Sequence, residues 1–599
     1  MSTVNTLPYW DLTTIYPGID STAFTNDFSR VIDDIDQLAQ LFDAYSIGEQ
    51  PAAALNDQTV QAFDVVIVRY NGLLEVSRTL SAYLVCLVST NSQDTQAQAK
   101  LSELQQSSVR LAQLGTRLTA WIGSLDVENL IARSSLANDH AFMLRKAKIR
   151  AAHLMTPGEE TLAAELNVSS GRAWSRLHGD LTSQLSVELE LSGQKQELPM
   201  SMVRNLAFDP NRDNRKRAYE AELAAWERVS VPLAAAVNSI KGEVNTLTKR
   251  RGWESPLDAS LFDNNMDRET LDAMLEAARE SFPSFRSYLH AKARVLGLHH
   301  LAWYDLNAPL GQEERIWQYD EARAFIIEQF ATYSPRLSDF AARAFREQWI
   351  DAEPRTGKRD GAFCILVRGD QSRVMANYKS AFGGVSTLAH ELGHGYHNFN
   401  LAGRTMLQRA TPATLAETAS TFCETIIRQA ALQSVGPQEQ IDILEASLQG
   451  STQVVVDITS RLLFEQRVFE ARRKRELSIE ELNSLMLEAQ RETYGDGLDV
   501  QALHPYMWAV KQHYYNTGLS FYNYPYMFGL LFGLGLYARY SQEPEAFRKG
   551  YDDLLSSTGL ADAATLAGRF GIDVHSPDFW RASLDVIRSD IERFEMLTQ

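Results

Sequence analysis

The chain has 599 residues, a net charge of −18 from 58 Lys and Arg against 76 Asp and Glu, and 45% apolar residues. That is enough for a large core or several domains, and the acidic balance argues against nucleic acid or an anionic membrane as the main partner. Three cysteines, Cys86, Cys364 and Cys423, give no disulfide framework and suit a reducing, cytoplasmic compartment.

Residues Met1 to Asn5 lack the basic and apolar parts of a signal peptide. An irregular arm with aromatic anchors, Tyr9, Trp10 and Tyr16, covers residues 1–20. From Asp27 the apolar spacing of Val31, Ile32, Ile35, Leu38, Leu41 and Phe42 predicts an amphipathic helix. Similar patterns over 58–90, 93–123 and 127–149 predict a helical first part with short connections. Partial alternation at 185–198 around Ser192-Gly193 predicts a small hairpin, and helices are expected from about 200 to 295. Asp209-Pro210-Asn211-Arg212-Asp213 opens like a calcium loop with Glu220 twelfth, but the sixth residue is Asn214 instead of Gly. A capped helix start is the expectation there. Residues 363–367 and 372–378, around Gly369-Asp370-Gln371, read as a β-hairpin. Arg368-Gly369-Asp370 is explained by that turn. The longest apolar run, Met527 to Tyr537, carries Gly529, Gly533 and Gly535 and is shorter than the ~20 residues of a membrane span. No repeat or low-complexity tract is evident. The expected class is mainly α with a small sheet.

Directly after the hairpin stands His390-Glu391-Leu392-Gly393-His394, an H-E-x-x-H pattern. On a helix, residues four apart share a face, so both imidazoles can reach one metal ion. Zinc suits such nitrogens. Glu391 projects beside them, where a carboxylate can take a proton from water and pass it to a leaving amine. A catalytic zinc usually has a third protein ligand. Candidates are Glu417 and Glu424, seven apart in a helical stretch behind Thr411-Pro412. Glu417 could be the ligand and Glu424 a brace on a ligating histidine. Spacing alone equally allows a capping box between Thr414 and Glu417.

His390 to His394, followed by Leu415-Ala416-Glu417-Thr418-Ala419-Ser420-Thr421-Phe422, resembles the oligoendopeptidase F branch of the thimet-oligopeptidase-like zinc metallopeptidases. Gly361-Ala362-Phe363-Cys364, Asn377-Tyr378 and Phe521-Tyr522-Asn523-Tyr524 fall in the family's order, and the likeness covers about 150 to 590. It implies Glu417 as third ligand to one zinc ion per chain. It implies a two-lobed helical clamshell with a deep substrate channel, with a helical N-terminal lobe over 1–205 and a catalytic domain over 206–599. Thimet oligopeptidases carry Tyr-Tyr-Gly-Tyr where this chain has Phe521-Tyr522-Asn523-Tyr524, so a first tyrosine does not carry over. The resemblance favours His513, Tyr522 and Tyr524 as lining the site, where neutral donors can share the charge of an oxyanion. Tyr515 is a further candidate, and His397 reads as a helix-face or supporting residue.

Residues Val374 to Tyr378 are expected to form an exposed edge strand that pairs with an extended peptide. The expected activity is endopeptidase cleavage of oligopeptides. A carboxypeptidase or dipeptidyl carboxypeptidase is the alternative among hydrolases; it needs a fixed cation for a free carboxylate, and none stands out. A peptide-binding scaffold without catalysis is the alternative of another class, and the intact Glu391 speaks against it.

Overall fold

The computed structural model describes residues 7–48, 55–191, 193–310 and 315–599; the signal-peptide reading of Met1 to Asn5 and the turn residue Ser192 fall outside the described residues. The protein is mainly helical, as its apolar periodicity requires. Thr22–Ala44 buries Phe24, Phe28, Val31, Ile35, Leu38 and Phe42 along one face, and Ser21 caps it by accepting from the Phe24 N–H. Asp57–Thr90 is long and apolar enough to cross a membrane. Its Phe63, Val66, Ile67, Leu80 and Leu84 are instead buried in one core with residues of Thr22–Ala44 and Thr95–Ser124. The stretch expected as one helix over 127–149 is three, Val127–Arg133, Ser135–Asp139 and Ala141–Ala152. Ser134 ends the first and caps the second through its side chain. Ser186–Leu191 and Gln194–Pro199 pair antiparallel as the expected hairpin. Asn211 caps Arg212–Arg228, so the calcium-like lettering is a helix start.

Two compact units account for the chain. The first comprises Met1–Leu154, Arg315–Gln433 and Arg539–Phe570; the second comprises Met155–Glu314, Ser434–Ala538 and Gly571–Gln599. The sequence suggested a single cut at 205/206. Each of the two compact units draws on three separate segments of chain, and local periodicity carries no record of such returns.

The first unit holds a three-stranded sheet. Its order is Ile350–Asp351, then Gln371–Met375, then Phe363–Arg368, the first pair parallel and the second antiparallel. The expectation that Val374 to Tyr378 forms an exposed edge is therefore corrected. Val374 N–H donates to the Trp349 carbonyl (2.9 Å), Ala376 N–H to Asp351 (2.9 Å) and Tyr378 N–H to Ala352 (3.0 Å). On its other side the strand pairs with Phe363–Arg368. The cause is the neighbouring two-residue strand, too short to show any period in sequence. The edge on that side of the sheet belongs to Phe363–Arg368. The helix carrying the H-E-x-x-H pattern, Phe382–Asn400, packs on this sheet, and Asn398 Nδ2 donates to Ser372 Oγ at 3.1 Å.

Candidate metal centre

The helix Phe382–Asn400 buries Val385, Leu388, Ala389, Leu392 and Tyr396 and turns His390 and His394 to its half-buried side. Their rings stand 4.9 Å apart at 81°. Gly393 decides how closely the next segment can approach. A Cβ there would lie 2.6 Å from the Ala419 carbonyl oxygen and 2.6 Å from Ser420 Cα. Only a residue without a side chain permits that contact. The approaching segment is broken at the useful place. Ala413–Ala416 is one short helix, Thr418–Ser434 the next, and Glu417 stands between them. Pro412, not Thr414, occupies the N-cap, and no side chain caps there. The capping-box reading of Thr414 and Glu417 is thus not realised. Glu417 is free to face the motif helix.

It does so closely. Glu417 Oε2 lies 3.2 Å from His390 Nε2 and 3.4 Å from His394 Nε2, and ligand atoms of the three residues fall within 4.8 Å of one another. Ser420 Oγ donates to Glu417 Oε2 at 2.8 Å. The other nitrogen of His390, Nδ1, is 3.0 Å from Glu424 Oε2, and Ser386 Oγ donates to Glu424 Oε1 at 2.8 Å. Burial works against a charged His390, yet the carboxylates of Glu417 and Glu424 raise its pKa well above the usual imidazole value. Burial would likewise raise Glu417, but its contacts with His390 and His394 hold it far below the usual carboxylate range. The cluster draws in positive charge, as a proton or a metal ion.

Glu391 differs from both neighbours. It is 6% exposed, and its Oε2 is buried with no hydrogen-bond partner. Burial raises its pKa against the pull of the two histidines. A carboxylate so placed holds a proton more readily than a solvated one.

His513, Tyr522 and Tyr524 belong to the second unit. His513 Nε2 is 2.8 Å from Asn523 Nδ2. Burial first, then the charges of Arg461, Lys241 and Lys511, depress its pKa to about 2, so the ring is neutral at ordinary pH. Tyr522 is 40% exposed, with its hydroxyl 2.5 Å from that of Tyr526. Tyr524 is fully buried, and its hydroxyl is engaged with Asn264 Nδ2 (3.2 Å) and Ser260 Oγ (3.3 Å). The structure thus separates two tyrosines that the sequence grouped. Tyr524 is buried with its hydroxyl hydrogen-bonded, while the Tyr522 side chain is partly exposed. Tyr515 is buried too, stacked on His178 with ring centroids 3.9 Å apart.

The model of peptidase family M3 matches residues 205–586, more than half the chain. The chain belongs to peptidase family M3. Among curated relatives, an oligoendopeptidase F homolog of Lactococcus lactis subsp. lactis is 25% identical over 80% of this chain and 78% of its own. Group B oligopeptidase PepB of Streptococcus agalactiae is 23% identical over 98% and 96%. Solved structures share the fold. A chain from Chlamydophila abortus superposes with a TM-score of 0.81 at 21% identity, covering 98% of each chain. Oligoendopeptidase-F from Enterococcus faecium gives 0.71 at 17% identity, covering 96% of this chain and 98% of its own.

In this M3 peptidase several supporting residues escaped the sequence reading. Ser386 and Ser420 orient the two carboxylates, and neither is distinguishable from a surface serine by composition. Gly393 carried a signal: a glycine inside a helix costs about 1 kcal/mol relative to alanine, which a close approach explains. His397 is buried, with Nε2 2.9 Å from Thr558 Oγ1, and burial lowers its pKa to about 4. It is a neutral anchor for the end of the motif helix. Glu424→Gln removes the charge that fixes the His390 ring, and metal affinity is expected to fall about 10–100-fold. Competition with a fluorescent chelator measures this, and unchanged affinity would remove Glu424 from the site.

Proposed function

We infer that the protein is a zinc-dependent endopeptidase of oligopeptides, with His390, His394 and Glu417 as the metal ligands. The observation that carries this reading is the spacing of the three donors. Two ligands sharing a tetrahedral zinc at about 2.0–2.1 Å stand roughly 3.3 Å apart, and the two histidine-to-Glu417 separations are 3.2 and 3.4 Å. Two imidazoles and one carboxylate are a zinc-type donor set that leaves a coordination position open. Bound there, the ion would supply Lewis acidity toward a peptide carbonyl and lower the pKa of water to about 7.

The chain's own residues supply the rest. Glu391 takes a proton from the attacking water and delivers it to the departing amine. Glu424 and Ser386 hold His390 in one tautomer with Nε2 toward the ligand set. His513 and Tyr522 supply neutral donors for the tetrahedral intermediate. The three free cysteines accord with a reducing, cytoplasmic setting.

Metal content by atomic emission, together with cleavage mapping by mass spectrometry, tests the reading. Internal cleavage of peptides blocked at both ends is expected, with about one zinc per chain. Cleavage confined to free carboxyl ends would favour a carboxypeptidase instead.

A further inference from the structure

The loop that carries Tyr522 and Asn523 is held from beneath by a buried ion pair. Lys241 Nζ lies 2.6 Å from Glu465 Oε1, with the two side chains 1% and 2% exposed. The other oxygen, Glu465 Oε2, accepts the backbone N–H of Phe521 at 3.1 Å. Phe521 has φ of +57°, a left-handed conformation that bulky side chains rarely adopt. It therefore persists because its surroundings impose it. The Phe521 ring packs on Phe469 with centroids 5.4 Å apart. Lys241 Nζ stands 4.6 Å from the Phe469 ring centroid and 5.7 Å from that of Tyr514, the residue after His513. Two residues beyond Phe521, Asn523 meets His513.

We propose that Glu465, fixed by Lys241, is a positioning residue. By accepting the Phe521 N–H it holds the left-handed turn that aims Asn523 at His513 and leaves Tyr522 exposed. The inference rests on the proposed roles of His513 and Tyr522. The pair belongs to the second unit and the candidate metal ligands and Glu391 to the first, so its effect is expected on turnover and not on metal binding. A buried ion pair is weak evidence for stability, because replacing both partners by apolar groups is often neutral. What an apolar replacement cannot supply is the acceptor for Phe521.

Two matched double variants of the full chain isolate that acceptor. Lys241→Met/Glu465→Gln and Lys241→Met/Glu465→Met both remove the charges at similar volume, but only the first keeps an oxygen. The Gln variant is expected to stay within about threefold of the unmodified protein in kcat. The Met variant is expected to lose about 10–100-fold in kcat, with KM within threefold and zinc content unchanged. Nitrogen NMR of 15N-histidine-labelled protein, with His513 assigned from a His513→Gln spectrum, supplies a readout independent of activity. The His513 ring signals should be preserved in the Gln variant and altered in the Met variant. If the Met variant does not fold, Glu465→Asp takes its place, since it keeps the charge but withdraws the oxygens by one methylene. Equal kcat and equal His513 signals in the variants with and without the acceptor would overturn the proposal. Unchanged turnover in His513→Gln would instead overturn the catalytic role of His513, and the NMR comparison alone would then decide whether Glu465 positions the loop.

Discussion

Glu391→Gln is expected to lower kcat for peptide cleavage by about 10²–10⁴-fold, the usual contribution of a positioned general base, while the protein still binds one metal ion per chain. The two effects separate because Glu391 is the one carboxylate of the cluster not turned to a partner. Glu417 Oε2 is committed to both histidines and Ser420, and Glu424 to His390 and Ser386. Glu391 Oε2 is buried and unpartnered. An unsatisfied buried acceptor costs about 1–3 kcal/mol, a cost that proton transfer during turnover would explain. Glutamine keeps the size and one acceptor but cannot receive a proton from water. It also removes a buried carboxylate, so thermal stability should be equal or slightly higher, which rules out unfolding as the cause of lost activity. Peptide cleavage followed by mass spectrometry, beside metal analysis of the same sample, measures both. Unchanged turnover would remove the proton-transfer role, and lost metal would make Glu391 a structural part of the donor set.

The parts of this site legible in sequence are those whose geometry is local. His390 and His394 are one helical turn apart, so their convergence follows from the helix period alone. Glu417 was ambiguous because its position depends on a break between Ala416 and Thr418 and on contact between two helices, neither of which has a period. The strand Gln371–Met375 was foreseen as half of a hairpin, but its second neighbour comes from Ile350–Asp351, two residues with no pattern of their own. Tyr522 and Tyr524 are two apart in an aromatic stretch, and only the packing of Ser260 and Asn264, some 260 residues away, sends one into the core. The same non-local returns divide the chain into units that each draw on three separate segments.

Gly393→Ala is expected to lower metal affinity about 10–100-fold, although alanine is the better helix former. Two effects oppose each other. Alanine gains about 1 kcal/mol of helix propensity over glycine. Its methyl group, however, would stand 2.6 Å from both the Ala419 carbonyl oxygen and Ser420 Cα. Those are backbone atoms of the segment that carries Glu417, and they cannot rotate away as a side chain could. Overpacking of a well-filled interface costs about 1–3 kcal/mol, so the clash exceeds the gain and the helices must separate. That movement carries Glu417 away from His390 and His394, and supporting-residue changes of this kind cost metal sites about 10–100-fold in affinity. Gly383→Ala in the same helix is the control, because a Cβ there meets nothing within 4 Å. It should leave metal binding unchanged and stability equal or slightly raised. Zinc titration of both variants against a competing chelator, with thermal melts of the metal-free forms, separates ligand displacement from general loss of fold. Equal zinc affinity in Gly393→Ala and Gly383→Ala would mean that the approach of the two helices does not set the position of Glu417.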